Sequence, residues 1–274
     1  MSNGVLLFAH NNNVVDYVAQ AVFCAKRVKE YMHLPVSIVT DATDFVGAEV
    51  FDKVIFKEVD NAKNFKLFKD SDKASERDNW YNTDRFHAYR LTPYEQTIVM
   101  DTDFIISNNN LNNLFESNKS FACSKKHTGI HTATQESTVD KISINSIPMY
   151  WATVMFFKKS KIAAAIFDLV EHIHDNWLWY KNLYGINSAK FRNDYAFSIA
   201  IHTLQNFTES VNDFEIPYTQ YNSFDVDDVV DFDKDNISIL SRRGHNDYQI
   251  SYFSGINVHI MNKFALEKII SESI

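Results

Sequence analysis

The sequence predicts an α/β fold whose mainly parallel sheet is flanked by helices, because short apolar strand patterns alternate with helical ones. Residues 5–8 form an apolar run, and apolar residues then recur at helical spacing from 14 to 28. Further strands are predicted at 36–40 and 54–56, separated by turns that contain Asp or Gly. Residues 97–100 are continuously apolar, which is typical of a central strand buried on both faces.

The second half of the chain continues the α/β alternation. A strand is predicted at 153–157, a long amphipathic helix at 161–184 that ends at Gly185, and a shorter helix at 194–204. Residues 125–149 are polar and weakly periodic, so we expect a mobile connection there. Its Ser/Thr-rich part, 128–138, is either a lid over a ligand or an ordinary surface loop.

Composition excludes several classes of protein. The 274 residues are 45% hydrophobic and carry a net charge of −8, which opposes general binding to nucleic acids. No apolar run approaches the roughly 20 residues of a membrane span, so we expect a cytoplasmic protein. With six glycines, the chain has neither a Walker loop nor a GxGxxG turn. Cys24 and Cys123 are its two cysteines, and we expect both to be buried thiols.

An Asp-Thr-Asp triplet follows the strand predicted at 97–100. Alternate residues of a strand point to the same face, so Asp101 and Asp103 could bind one cation while Thr102 offers its backbone. Carboxylate ligands suit Mg²⁺ or Mn²⁺, and ligands of open α/β sheets bind at the carboxyl ends of the strands. Alone, the motif is also compatible with helix capping or a turn.

The segment 84–103 resembles the glycogenin-like retaining glycosyltransferases, called family 8. The shared features are Arg85 in a short helix, Leu-Thr-Pro-Tyr, an apolar strand and Asp-x-Asp. The resemblance implies one GT-A domain over 1–274, a Rossmann-like fold for nucleotide-diphospho-sugar transferases. Its nucleotide-binding half would be 1–125, and its acceptor-side half, with a C-terminal metal and diphosphate motif, would be 126–274. It also implies transfer of a sugar from a nucleotide-diphosphate donor, a UDP-sugar in this family, with retention of configuration.

Residues 258–263 look like the second motif of that family. There a histidine is the third metal ligand and a lysine binds the diphosphate, which implies these roles for His259 and Lys263. A nitrogen ligand beside two carboxylates favours Mn²⁺ over Mg²⁺. The chain departs from the family because its histidine and lysine are closer together and no glycine separates them. Without the resemblance, His259 would be read as a structural hydrogen-bond donor.

The resemblance also implies binding roles elsewhere in the chain. Arg85 would contact the diphosphate or the sugar, and Asp194 would orient the donor near the reacting carbon. In the family, uracil is enclosed by the first strand and loop, and an aromatic ring stacks on it. The corresponding residues here are Phe8, Ala9, His10, Asn11 and Tyr17. In a shifted register, Asn193 would take the place of Asp194. The simpler alternatives are an ion pair for Arg85, a core position for Tyr17 and a helix cap for Asp194.

Two other functions remain compatible with the sequence. A nucleotidyltransferase would use a similar sheet and metal, although its usual glycine-rich first loop is missing. A catalytically silent protein that binds sugar nucleotides or glycans would need no transfer chemistry. For the transferase, the expected partners are a nucleotide sugar and a glycan, protein or small-molecule acceptor, with no nucleic acid. A homodimer is also compatible with the sequence.

Overall fold

The computed structural model describes residues 2–59, 64–71, 73–130, 140–144, 146–188, 190–206, 214–244 and 247–272. The strands, in chain order, are β1 (Asn3–Phe8), β2 (Val36–Thr40), β3 (Lys53–Phe56), β4 (Phe65–Asp70), β5 (Ala74–Asn79), β6 (Gln96–Met100), β7 (Phe104–Ile105), β8 (Phe121–Ser124), β9 (His127–Gly129), β10 (Trp151–Lys158), β11 (Gln220–Ser223), β12 (Asp228–Asp233), β13 (Asn236–Gly244), β14 (Asp247–Ser254) and β15 (Val258–Ile260). The helices are α1 (Tyr17–Arg27), α2 (Ala88–Leu91), α3 (Asn113–Glu116), α4 (Lys161–Asp175), α5 (Trp177–Leu183), α6 (Asn193–Leu204) and α7 (Lys263–Glu272).

A six-stranded sheet, in the order β3-β2-β1-β6-β10-β8, forms the centre of the fold. The four strands β3, β2, β1 and β6 run parallel, whereas β10 is antiparallel to both β6 and β8. Every residue of β6 is buried, as expected for a central strand covered on both faces. The predicted fold class, a mixed and mainly parallel sheet flanked by helices, is therefore confirmed.

Helices cover the two faces of the central sheet. The apolar side of α1 packs on one face, in a cluster with β1, β2 and β6. Helices α4 and α6 pack on the other face, around Phe167 and Phe197. Among the described residues, no helix combines the length and apolarity that a bilayer crossing needs.

The single helix predicted at 161–184 is wrong, because the chain forms α4 and α5 with a break at Asn176. The backbone of Asn176 leaves the helical region, with φ −113° and ψ 28°. Its side-chain amide donates to the carbonyl oxygen of His172 at 2.9 Å. Asparagine readily makes such local bonds to the backbone, which compete with the helical pattern. The apolar periodicity continues across the break and conceals it in the sequence.

Three smaller sheets contain the other strands of the described residues. The order β7-β15-β11-β9 forms a four-stranded sheet, and β12-β13-β14 forms an antiparallel meander. Strands β4 and β5 form a separate hairpin. Part of the connection expected at 125–149 is the strand β9, while residues 131–139 lie outside the described part of the chain. The division into two halves stays a prediction.

Gly4, in β1, packs directly against the ring of Tyr94 and leaves no room for a side chain. A Cβ atom on Gly4 would lie 2.5 Å from two atoms of that ring, whose hydroxyl is bonded to Ser37 Oγ at 2.8 Å. We expect Gly4→Ala to lower the free energy of unfolding by about 1–3 kcal/mol, the usual cost of overpacking a core. Urea denaturation of Gly4→Ala, Tyr94→Leu and the double variant tests this. Strictly additive losses would contradict a clash between these two residues.

Candidate metal centre

Two carboxylates lie directly after the central strand β6. The amide of Asp101 continues the sheet by donating to the carbonyl oxygen of Thr153 at 2.8 Å. The chain then turns, and the amide of Phe104 donates to the carbonyl oxygen of Asp101 at 3.2 Å. Asp101, Thr102 and Asp103 all line one cavity of about 260 Å³. The site is therefore at the edge of the sheet where open α/β folds bind ligands.

His259 reaches this cavity because β15 adds to the short strand β7. His259 is paired with Phe104 across the antiparallel ladder, and the amide of Ile260 donates to the carbonyl oxygen of Asp103 at 3.0 Å. The Nε2 atom of His259 consequently lies 3.0 Å from Asp103 Oδ2 and 3.8 Å from Asp101 Oδ2. The histidine expected from the second motif and the two aspartates thus meet in one place.

The three side chains fit a single divalent ion. One ligand atom from each of Asp101, Asp103 and His259 lies within 4.8 Å of the other two. Adjacent ligands of an octahedral ion with bonds near 2.1 Å are about 3 Å apart, so small side-chain adjustments suffice. Burial, helped by the charges of Lys66 and Arg85, lowers the pKa of His259 to about 3. The imidazole is therefore neutral, which is the form that binds metal ions.

Two cations contact the same carboxylates. The guanidinium of Arg85 forms an ion pair with Asp101 and donates to the carbonyl oxygen of Ala152 at 2.7 Å. The ammonium of Lys263 forms an ion pair with Asp103. Burial lowers the pKa of both basic groups. Arg85 is thus a buried residue of the site, rather than a surface partner of a neighbouring acid.

Asp194 lies in the first turn of α6 and also lines the cavity. Its Oδ1 accepts from the amide of Ala152 at 2.9 Å, and its Oδ2 accepts from Arg192 Nε at 3.1 Å and from Arg192 NH2 at 2.6 Å. The residue at the N-cap position of α6 is Arg192, so Asp194 does not cap the helix. Asp194 and Arg85 both bond to the backbone of Ala152, which holds them on the same side of the cavity.

The residues predicted to bind uracil divide into two groups. Phe8 and Tyr17 line the cavity, and the Tyr17 hydroxyl is buried without a hydrogen-bond partner among the described residues. Ala9, His10 and Asn11 do not line it. The amide of Ala9 continues the sheet, and Asn11 Oδ1 accepts from the amide of Val18 at the start of α1. A contact of these three with a nucleotide stays a prediction.

Several lining residues were given no binding role from the sequence. Those with polar or aromatic side chains are Lys66, Trp80, Asn82, Trp151, Thr153, Lys190, Arg192 and Asp225. Asn193, the alternative to Asp194, also lines the cavity, and the position of Arg192 could have been inferred from these two neighbours. Lys66 belongs to the β4–β5 hairpin, and no sequence signal linked that hairpin to the site. Trp151 Nε1 and Asn193 Oδ1 are buried without hydrogen-bond partners among the described residues, and remain available to a ligand.

His10 is buried and contacts a residue that lines the cavity, since its amide donates to Asn82 Oδ1 at 2.9 Å. Its Nδ1 atom lies 3.1 Å from Asp41 Oδ1, and its Nε2 atom lies 3.4 Å from Asp84 Oδ2. Burial lowers the pKa of His10, but the hydrogen bonds and charges of Asp84 and Asp41 outweigh it and leave the pKa raised. Protonated His10 therefore stabilises the fold. This contribution is fully present below the unfolded-state pKa near 6.5 and is lost as the pH rises through the higher folded-state pKa.

We expect His10→Gln to lower the free energy of unfolding more at pH 5.5 than at pH 9, because the stabilising proton is bound only at the lower pH. Urea denaturation of the variant and the unmodified protein at both pH values measures this difference. The exposed His172, replaced by Gln in the same way, is the matched control. A loss that is equal at the two pH values would show that His10 does not carry a proton in the folded protein.

The chain matches no family model and no curated protein. Three glycosyltransferases are among the solved structures that it resembles. GlyE of Streptococcus pneumoniae is 12% identical over 79% of this chain and 46% of its own, with a TM-score of 0.41. The galactosyltransferase LgtC, in complex with donor and acceptor sugar analogues, is 13% identical over 72% and 70%, with a TM-score of 0.45. Mouse xyloside xylosyltransferase 1 is 12% identical over 79% and 84%, with a TM-score of 0.42.

These similarities are remote, and the chain spans less than half of the length of GlyE. At such identities and TM-scores they carry no part of the argument about activity.

Proposed function

We propose that this chain is a metal-dependent glycosyltransferase of the GT-A type, which moves a sugar from a nucleotide-diphosphate donor to an acceptor. The observation that carries the proposal is the meeting of Asp101, Asp103 and His259 with Arg85 and Lys263 in one cavity. Two carboxylates and a neutral imidazole suit Mn²⁺ or Mg²⁺. Two cations beside them suit a diphosphate. The partners would be a UDP-sugar and a glycan, protein or small-molecule acceptor.

Departure of a nucleoside diphosphate builds negative charge on its outer phosphate. A divalent cation held by Asp101, Asp103 and His259 would supply positive charge against it when bound. Arg85 and Lys263 now neutralise Asp101 and Asp103. They are placed to move to phosphate oxygens once those carboxylates bind a cation. Because Arg85 and Lys263 are buried, such fixed charges stabilise the developing charge strongly.

Asp194 is the carboxylate that we assign to the sugar end of the donor. Its two oxygens are held by the amide of Ala152 and the guanidinium of Arg192, so its orientation is fixed before the donor binds. A carboxylate in that position can orient a sugar hydroxyl or stabilise an oxocarbenium-like carbon. Transfer with retention needs no further protein base, because the departing phosphate can accept the acceptor's proton on the same face of the sugar.

Phe8 and Tyr17 are the side chains that we assign to the base of the donor. Both line the cavity, and an aromatic ring can stack on uracil. Burial raises the pKa of Tyr17, so its phenol stays protonated and can donate to a ligand. Uracil is proposed here from the resemblance in sequence together with these two rings.

Replacement of the metal-binding side chains tests the proposal. We expect Asp101→Asn and Asp103→Asn each to lower Mn²⁺-dependent release of UDP from UDP-sugars by on the order of 10²–10³-fold. His259→Gln should give a comparable loss while leaving both buried ion pairs intact. Asp168→Asn is the control, because Asp168 is an exposed acid of α4 paired with Arg90. Full turnover in all three site variants would refute the proposed metal centre.

Ligand binding and product analysis separate the competing functions. We expect Mn²⁺ together with UDP to raise the melting temperature, and neither alone to raise it as much, because each completes the binding site for the other. EDTA should reverse the effect. A silent binding protein would show the thermal shift but release no UDP from any nucleotide sugar. A nucleotidyltransferase would instead form pyrophosphate from UTP and a sugar phosphate.

A further inference from the structure

The cavity contains more positive charge than the proposed diphosphate site uses. Lys66 from β4, and Lys190 and Arg192 from the segment before α6, line it together with Arg85 and Lys263. Arg192 is paired with Asp194. Within the described part of the chain, neither Lys66 nor Lys190 has a carboxylate within ion-pairing distance. Two ammonium groups of the cavity therefore form no ion pair with the described carboxylates.

These cations lie close enough to repel one another. Burial lowers the pKa of Lys190, and the charges of Lys66 and Arg192 lower it further. Burial also lowers the pKa of Lys66, against the opposing charges of Asp225 and Asp194. Like charges held together in a partly buried place destabilise the free protein, and a bound anion removes that cost. The arrangement is typical of a binding site rather than of a structural ion pair.

Aromatic rings hold two of the cations in place. The Lys66 ammonium lies 5.4 Å from the centre of the Phe68 ring and 5.8 Å from that of Trp80. The Arg192 guanidinium lies 5.3 Å from the centre of the Tyr195 ring. Such contacts favour fixed positions for side chains that would otherwise be flexible. Two members of this basic cluster, which consists of Lys66, Lys190 and Arg192, therefore have defined positions.

Lys190 and Arg192 lie on the side of the cavity that we assign to the sugar. Lys66 lies between that side and the metal ligands, since its charge interacts with those of Arg192 and Asp194 and also affects His259. Arg192 is bonded to Asp194, the carboxylate assigned to the reacting sugar, and Lys190 lies two residues earlier in the same segment. The diphosphate side is defined instead by Asp101, Asp103 and Lys263. An anion bound by the cluster would thus be a group on a sugar, in addition to the diphosphate.

We propose that Lys66, Lys190 and Arg192 form a second anion subsite, which binds a carboxylate or phosphate group carried by a sugar substrate. This inference rests on the proposed transferase function and adds a substrate class to it. The acidic group could belong to the transferred sugar of the donor or to the acceptor. Both sources present the same chemistry to the three cations, and binding measurements with each distinguish them.

The donor is tested by calorimetry in the presence of Mn²⁺ with UDP, UDP-glucose and UDP-glucuronic acid. We expect UDP-glucuronic acid to bind at least about tenfold more tightly than UDP-glucose, which corresponds to about 1.4 kcal/mol. Lys190→Gln should abolish this preference and leave the affinity for UDP unchanged. Lys66→Gln should also abolish the preference, with at most a smaller change in the affinity for UDP, because the charge of Lys66 also acts on His259. Lys73→Gln is the matched control, because Lys73 belongs to the same hairpin region but is exposed and paired with Asp228.

The acceptor is tested with protein saturated with UDP and Mn²⁺, by titrating glucose, glucose 6-phosphate and glucuronic acid. Preference for an acidic sugar in this titration alone, abolished by the same two substitutions, would assign the subsite to the acceptor. Equal binding of acidic and neutral sugars in both titrations would overturn the subsite but not the transferase. Lysine substitutions that weaken UDP as much as the acidic ligand would also overturn it, since the lysines would then serve the diphosphate. Failure of UDP to bind with Mn²⁺ would instead refute the transferase function itself.

Discussion

The pairing of β15 with β7 is the constraint on which the candidate site depends. Asp101 and Asp103 are fixed by the end of β6, but His259 is 156 residues from Asp103 in the chain. Strand β7 has only two residues, and the ladder that it forms with β15 sets the distance between the imidazole and the carboxylates. The four-stranded sheet thus brings His259 next to the two aspartates. A binding site for a single ion requires all three side chains in one place.

Charge balance explains how two carboxylates can lie close together in this site. Asp103 is buried and Asp101 is largely buried, and like charges in such a place repel each other and are costly when unpaired. Arg85 and Lys263 neutralise one each, while His259 remains uncharged. The same cations that stabilise the free protein are placed to bind phosphate once a metal ion binds the carboxylates. Little reorganisation is then needed, which is the condition for strong electrostatic stabilisation of a transition state.

The parts of the site that depend on local sequence could be predicted, and the parts that depend on tertiary packing could not. Strand β6 and its two aspartates follow from an apolar run and the spacing of alternate residues. His259 was expected only from the resemblance, because nothing in its own neighbourhood indicates a metal ligand. Lys66 was missed because β4 and β5 are largely exposed hairpin strands with no clear apolar alternation. The break at Asn176 was missed because the spacing of apolar residues shows which side of a helix is buried, not whether the helix is continuous.

The net charge of the chain and the local charge of the cavity have opposite signs, so they favour different ligands. A net charge of −8 disfavours long polyanions, which would meet the whole surface. The cavity, however, has five basic side chains against four acidic ones, and two of the acids are the proposed metal ligands. A bound divalent cation would make this excess larger. A small anion meets this local excess, whereas a long polyanion would also meet the rest of a chain with net negative charge. The charge balance thus favours compact anions such as the proposed sugar nucleotide.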